Sequence, residues 1–163
     1  MIDSTEAEAV KLFSNTYLAM RIAFFNELDT LAVRSNINST DLIRSVCLDP
    51  RIGEGYNNPS FAYGGYCLPK DVKQLSNSVR QLNLQLPLIE ALDISNEKRL
   101  NDITEIILAS NSRSVGIFRL QMKSGSDNAR EAANARLAMK LLEENVVYFK
   151  SPKSFTGEDV CEV

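Results

Sequence analysis

Cys67 has the clearest capacity for covalent chemistry. It sits in Tyr63-Gly-Gly-Tyr-Cys-Leu-Pro-Lys-Asp71, after two glycines that let the backbone approach a ligand and before a proline-lysine-aspartate run that opens a helix. A helix N-terminus and a nearby lysine both favour thiolate, so this sulfur reads as a nucleophile, with a buried small hydrophobe as the alternative. The chain has no histidine, which removes Ser-His-Asp and Cys-His catalysis and requires another route of activation. Lys11 and Asn15 stand four apart and so share one helix face, where an ammonium and an amide could hold an oxyanion or a water. A snorkelling lysine beside a surface asparagine is the other reading. The stretch Lys123-Ser-Gly-Ser-Asp-Asn-Ala-Arg130 leads from a strand into a helix and suits an anion, or is a plain turn. Gly53-Glu-Gly55 is no phosphate loop, because no strand precedes it and no Gly-Lys-Ser/Thr follows. Cys47, between Val46 and Leu48, reads as structural and Cys161, in a polar tail, as incidental. Three widely spaced cysteines without histidine predict neither a metal site nor a disulfide framework.

These residues need elements to position them, and 163 residues with 44% hydrophobic side chains are enough for a real core. The net charge of −3 and the lack of a basic stripe argue against nucleic acid as a partner. No apolar run approaches the roughly 20 residues of a membrane span, and the start MIDSTEAEA lacks the regions of a secretion signal, so a cytoplasmic chain with free thiols is expected. Periodicity predicts one long helix from Thr5 to about Arg34, with Thr5 and Glu8 as a capping box. Val10, Phe13, Tyr17, Met20, Phe24 and Leu31 mostly recur at three- and four-residue steps, and Leu12, Ala19, Ile22 and Ala23 widen that face. At 1.5 Å per residue such a helix is about 45 Å long, so its excess face needs another domain or another subunit. A short helix, Thr40 to Cys47, precedes a glycine- and proline-rich loop through Asp71, long enough to be functional. Helices follow from beyond Pro69 to about Asn83, with Val72, Leu75 and Val79 on one face, and from Pro87 to about Ser110, carrying Leu88, Leu92, Ile103, Ile106 and Ile107. Strand Ser114–Arg119, a turn capped by Ser126 or Asp127, helix Ala129–Asn145 with Ala133, Leu137 and Leu141, and strand Val146–Phe149 make a βαβ unit. Two strands are too few for an independent sheet, so the chain is expected to be part of a larger protein. The fold class expected is mainly α with a partial α/β unit: a long central dimerisation helix and helical domain, then an incomplete Rossmann-like βαβ unit.

Tyr56 to Asp71, YNNPSFAYGGYCLPKD, resembles the catalytic-cysteine segment of the UDP-glucose dehydrogenases, and Ala7 to Leu28, AEAVKLFSNTYLAMRIAFFNEL, resembles their central helix. The Cys-Leu-Pro-Lys-Asp segment is similar in looser form to the related GDP-mannose and UDP-N-acetylmannosamine dehydrogenases. The resemblance implies a central helical domain at 1–110, part of a C-terminal nucleotide-sugar-binding domain at 111–163, and an NAD-binding domain that does not precede Met1, so that the isolated chain is expected to bind and reduce NAD poorly. It further implies oxidation of UDP-glucose to UDP-glucuronate with NAD as cofactor. Cys67 would attack the aldehyde, Lys11 and Asn15 would stabilise the oxyanion and place the hydrolytic water, and Asp71 would assist its deprotonation. Tyr56, Asn57, Ser60, Gly64 and Lys123 would hold the nucleotide-sugar, Lys70 and Arg130 would lie beside the cofactor, and Arg51 would reach into the neighbouring subunit of a homodimer formed through the long helix. Neither a membrane nor nucleic acid is implied as a partner. A sister dehydrogenase with another sugar nucleotide and a non-catalytic helical dimerisation module are the alternatives.

Overall fold

The computed structural model describes residues 3–110, 114–117, 133–144 and 147–150. Along them run α1 (Ser4–Arg34), α2 (Ser39–Cys47), α3 (Cys67–Gln81), α4 (Pro87–Ala109), β1 (Ser114–Ile117), α5 (Ala133–Glu143) and β2 (Val147–Lys150). The first helix starts earlier than its sequence suggests. Asp3, not Thr5, is the cap: its carboxylate accepts the Glu6 N–H at 2.8 Å while the Glu6 carboxylate accepts the Asp3 N–H at 3.2 Å. The second helix is capped by Asn38, which accepts the Asp41 N–H. The third begins at Cys67 rather than beyond Pro69 and ends at Gln81 rather than Asn83.

Helix α1 is the spine against which α2, α3 and α4 pack. Its buried residues are Leu12, Thr16, Ala19, Ala23, Phe25, Asn26 and Ala32. Small side chains at Ala19 and Ala23 let the neighbours approach closely, and Tyr63, Val72 and Leu92 fill the space above them. The large residues of the periodic stripe point the other way. Val10, Phe13, Tyr17, Phe24 and Leu31 are each more than half exposed, so the stripe is the excess face that the helix length anticipated and its alanines supply much of the core. On α3, Val72, Leu75 and Val79 are buried together, as their spacing predicts. On α4, Leu92 and Leu100 are buried, whereas Leu88 is exposed and Asn96, Arg99, Asp102 and Thr104 take inward positions.

β1 and β2 pair in parallel, Ser114 opposite Val147 through Ile117 opposite Lys150, with α5 between them in sequence. Within the described residues this is the expected βαβ order, with β2 one residue later than the sequence suggests. Ala133, Leu137 and Leu141 pack with Ile117 and with Leu100 of α4. The turn from Lys123 to Arg130, its caps Ser126 and Asp127, and Cys161 lie outside the described residues.

Between α2 and α3, residues 48–66 have no helix or strand, yet Ala62, Tyr63 and Gly64 are buried. Four side chains of α1 and α4 reach in to satisfy this backbone. Arg21 donates to the carbonyls of Gly55 at 2.7 Å, Ile52 at 3.0 Å and Gly53 at 3.2 Å. Asn26 accepts the Ser60 N–H at 2.7 Å. Arg99 donates to the Ser60 carbonyl at 3.0 Å, the Asn26 carbonyl at 3.2 Å, the Thr30 hydroxyl at 2.6 Å and the Asp29 carboxylate at 2.6 Å. Asn96 accepts the Tyr63 N–H at 2.8 Å and donates to its carbonyl at 3.1 Å. Truncating Arg99 leaves Asp29 with the Ser39 hydroxyl but no cation and takes the guanidinium donor from the Ser60 and Asn26 carbonyls. Arg99→Ala is expected to lower unfolding stability by about 3 kcal/mol, read as a lower denaturation midpoint at unchanged slope.

Candidate active site

Cys67 is the first residue of α3 and is exposed. Asp71 lies one turn further on, so both occupy the same face of the helix. Asp71 is only 1% exposed. It is reached from α1 by the Asn15 amide, which donates to Oδ2 at 2.5 Å, and by the Lys11 ammonium, 3.4 Å from Oδ1 and 3.2 Å from Oδ2. Lys11 therefore combines both sequence readings, since its side chain is largely exposed while its head is committed to a buried carboxylate. Burial pushes the Asp71 carboxyl up, but the bonds from Asn15 and Lys11 and the charges of Lys11 and Lys70 outweigh it and hold the group below its ordinary value. An ammonium has three donors and an amide nitrogen two, so each keeps hydrogen-bonding capacity beyond its bond to Asp71. A sulfur at a helix start, a fixed carboxylate and two oriented donors can hold a tetrahedral oxyanion and a water beside it.

Lys70 points elsewhere. Its ammonium stands 5.2 Å from the centre of the Tyr66 ring. Tyr66, Pro69, Lys70, Lys73, Gln74 and Ser78 line a groove of about 560 Å³ along α3. Two lysines and an aromatic face on one open groove fit an anionic ligand with a flat ring, and a dinucleotide has both features. Among the described residues no group of acidic or cysteine side chains is arranged to hold a metal ion.

The loop carries the other candidates. Tyr56 is half exposed and adopts φ +55°, a strained region for an aromatic residue. Asn57 donates to the Cys47 sulfur at 3.2 Å, and the Ser60 hydroxyl donates to the Ala62 carbonyl at 3.0 Å. Their side chains thus hold the loop itself. They also line a cavity of about 660 Å³ together with Asp29, Arg44, Cys47 and Arg99. Gly64 is buried and Gly65 has φ +83°, which explains a glycine there by backbone conformation, since a side chain at Gly65 would meet open space. Arg51 is exposed and donates to the carboxylate of Asp49 in the same chain at 2.5 to 3.2 Å. Lys123 and Arg130 lie outside the described residues. Cys47 is buried, as its apolar neighbours predict.

Arg21, Asn26, Asn96 and Arg99, which hold the loop, are absent from the sequence reading. A signal existed, because Asn96 and Arg99 fall four and seven residues after Leu92, on the face that periodicity assigns to the core.

The sequence profile of the UDP-glucose/GDP-mannose dehydrogenase family, central domain, matches residues 5–98. The UDP-glucose 6-dehydrogenase of Campylobacter jejuni is 51% identical over 144 residues, covering 88% of this chain and 36% of that protein. The UDP-glucose 6-dehydrogenase of Streptococcus pneumoniae is 55% identical over 128 residues, covering 78% and 32%. The structure of a UDP-glucose dehydrogenase from Pyrobaculum islandicum superposes with a TM-score of 0.80 at 31% identity, over 88% of this chain and 34% of that one. The chain spans about a third of the length of the relatives it matches.

The depressed Asp71 pKa gives a signed prediction. A carboxylate stabilised in the fold contributes stability above its unfolded value near 3.8 and loses it as pH falls through the lower folded value. Asp71→Asn is therefore expected to be less stable than the parent at neutral pH, with the difference shrinking as pH falls below the unfolded value near 3.8. Paired denaturation curves across that range check it.

Proposed function

The chain belongs to the UDP-glucose/GDP-mannose dehydrogenase family, and from that membership we propose that it carries the thiol centre for the NAD-dependent double oxidation of UDP-glucose to UDP-glucuronate. The observation that carries this reading is the bonding of Asp71, one turn after Cys67 on α3, to Lys11 and Asn15 of α1. The two relatives named for UDP-glucose, at half identity or better, support that sugar nucleotide.

The Cys67 sulfur adds to the carbonyl carbon of the 6-aldehyde, forming a C–S bond while the carbonyl oxygen takes a proton to give a thiohemiacetal. Lys11 and Asn15 donate hydrogen bonds to the oxygen as its charge develops. Removal of hydride from that carbon, with loss of the hydroxyl proton, leaves a thioester. Water then adds, the C–S bond breaks, and the sulfur departs as the carboxylate forms. Asp71 orients Lys11 and Asn15 and accepts a hydrogen bond from the water. With its pKa held down it is a weak base, so its main contribution is orientation and charge.

NAD, when bound, supplies the acceptor for both hydrides. Lys70 in the groove with Tyr66 and Lys73, together with Arg130, would hold it, with a dinucleotide-binding domain as the principal partner. Tyr56, Asn57, Ser60, Gly64 and Lys123 would hold the sugar nucleotide, Asn57 and Ser60 through the loop shape they fix. We assign residues 1–110 to the central domain and 111–163 to part of a C-terminal nucleotide-sugar-binding domain. The exposed Val10, Phe13, Tyr17, Phe24 and Leu31 support a homodimer along α1. Arg51 would then serve the neighbouring site after exchanging Asp49 for an anionic ligand.

The 6-aldehyde of UDP-glucose tests the thiol centre without cofactor. It is expected to protect Cys67, and not Cys47, from iodoacetamide, with the 6-aldehyde of GDP-mannose protecting less. Equal labelling of Cys67 with and without the UDP-sugar aldehyde would overturn the reading.

A further inference from the structure

The first turn of α3 carries Cys67 but is not held from within. Tyr66, at its N-cap, makes no side-chain capping bond, and no acidic residue stands in the first turn. Gly64 and Gly65 precede it, and Gly65 meets nothing that would restrain a side chain. Two anchors lie just beyond this segment. Downstream, Asp71 is tied to α1 through Lys11 and Asn15. Upstream, Tyr63 is tied to α4 through both its backbone polar groups, its N–H donating to Asn96 Oδ1 at 2.8 Å and its carbonyl accepting from Asn96 Nδ2 at 3.1 Å. Both residues are buried.

Asn96 is the middle of three α4 residues set one turn apart and turned to the same stretch of loop. Asp93 accepts the Tyr63 hydroxyl at 3.2 Å, and Arg99 donates to the Ser60 carbonyl. Burial, with the charge of Asp93 and the bond to it, pushes the Tyr63 phenol well above its ordinary pKa, so the hydroxyl remains a donor. Only a side-chain amide offers an acceptor and a donor at the spacing of one residue's N–H and carbonyl, as a strand would. Aspartate keeps the acceptor alone and leucine neither.

We propose that Asn96 is a positioning residue for Cys67: by holding both the N–H and the carbonyl of Tyr63 it fixes the chain that enters α3 and holds the sulfur at the helix start, beside first-turn N–H groups that no side chain caps. This rests on the reading of Cys67 as the nucleophile. Without the grip, Gly64 and Gly65 allow Tyr66 and Cys67 to shift and the sulfur to leave that field, while Leu68, Pro69 and Val72 keep the rest of α3 packed.

The ratio of alkylation rates with anionic iodoacetate and neutral iodoacetamide reports the electrostatic field at one sulfur, and peptide mapping separates Cys67 from Cys47. At low ionic strength the ratio at Cys67 is expected to exceed that of a synthetic peptide spanning residues 60–75. In Asn96→Leu it is expected to fall about threefold, towards the peptide value, with Cys47 labelled as slowly as before and Asn96→Gln restoring part of the ratio. A loss of packing alone would instead speed Cys47. Should Asn96→Leu fail to fold by circular dichroism, Asn96→Asp, of the same size and keeping one bond, is read on the same scale. A folded Asn96→Leu or Asn96→Asp with the parent ratio overturns the positioning role while leaving the nucleophile intact. A parent chain whose Cys67 ratio equals the peptide's overturns the nucleophile reading, and the positioning role falls with it.

Discussion

A buried peptide group must have a hydrogen-bond partner, and between α2 and α3 the chain buries peptide groups with no helix or strand to supply one. Side chains of α1 and α4 take over that task. Arg21 and Asn26 reach the loop from one helix, Asn96 and Arg99 from the other. This requirement explains why the inner faces of two long helices carry amides and guanidinium groups among their alanines and leucines. It also fixes where α3 begins, and with it the place of Cys67.

The loop in turn joins two hydrophobic clusters. Ala62 packs with Leu100, Ile117 and the α5 residues, while the next residue, Tyr63, packs with Ala19, Ala23, Val72 and Leu92. Two adjacent side chains of the loop thus join different clusters. Two buried charges lie on either side of it. Arg99 is offset by Asp29 and by several carbonyl and hydroxyl acceptors, and Asp71 by Lys11 and Asn15. A buried ion pair contributes little net stability but is costly to break, so each fixes geometry more than it adds stability.

Local rules were sufficient for the elements. Proline at the head of α4, the inward spacing of Val72, Leu75 and Val79, and the βαβ order are legible because each depends on residues a turn or two apart. The start of α1 shifted because Asp3-Glu6 and Thr5-Glu8 offer the same capping chemistry, and which box forms depends on where the chain is drawn into the helix. The pairing of Lys11 with Asn15 was visible as helix spacing, but their common partner Asp71, 56 residues beyond Asn15, was not. Asn96 and Arg99 were legible as inward positions of α4 but not as holders of the loop: that Asn96 serves Tyr63 follows from the packing of α4 on α1 and α3, which no local spacing encodes.

Amide hydrogen exchange tests most directly the claim that side chains, rather than secondary structure, hold this loop. The Tyr63 and Ser60 N–H groups, bonded to Asn96 and Asn26, are expected to exchange nearly as slowly as the Ala23 amide within α1, while Glu54 at the exposed end of the loop exchanges fast. Exchange of Tyr63 and Ser60 at the rate of Glu54 would contradict the account.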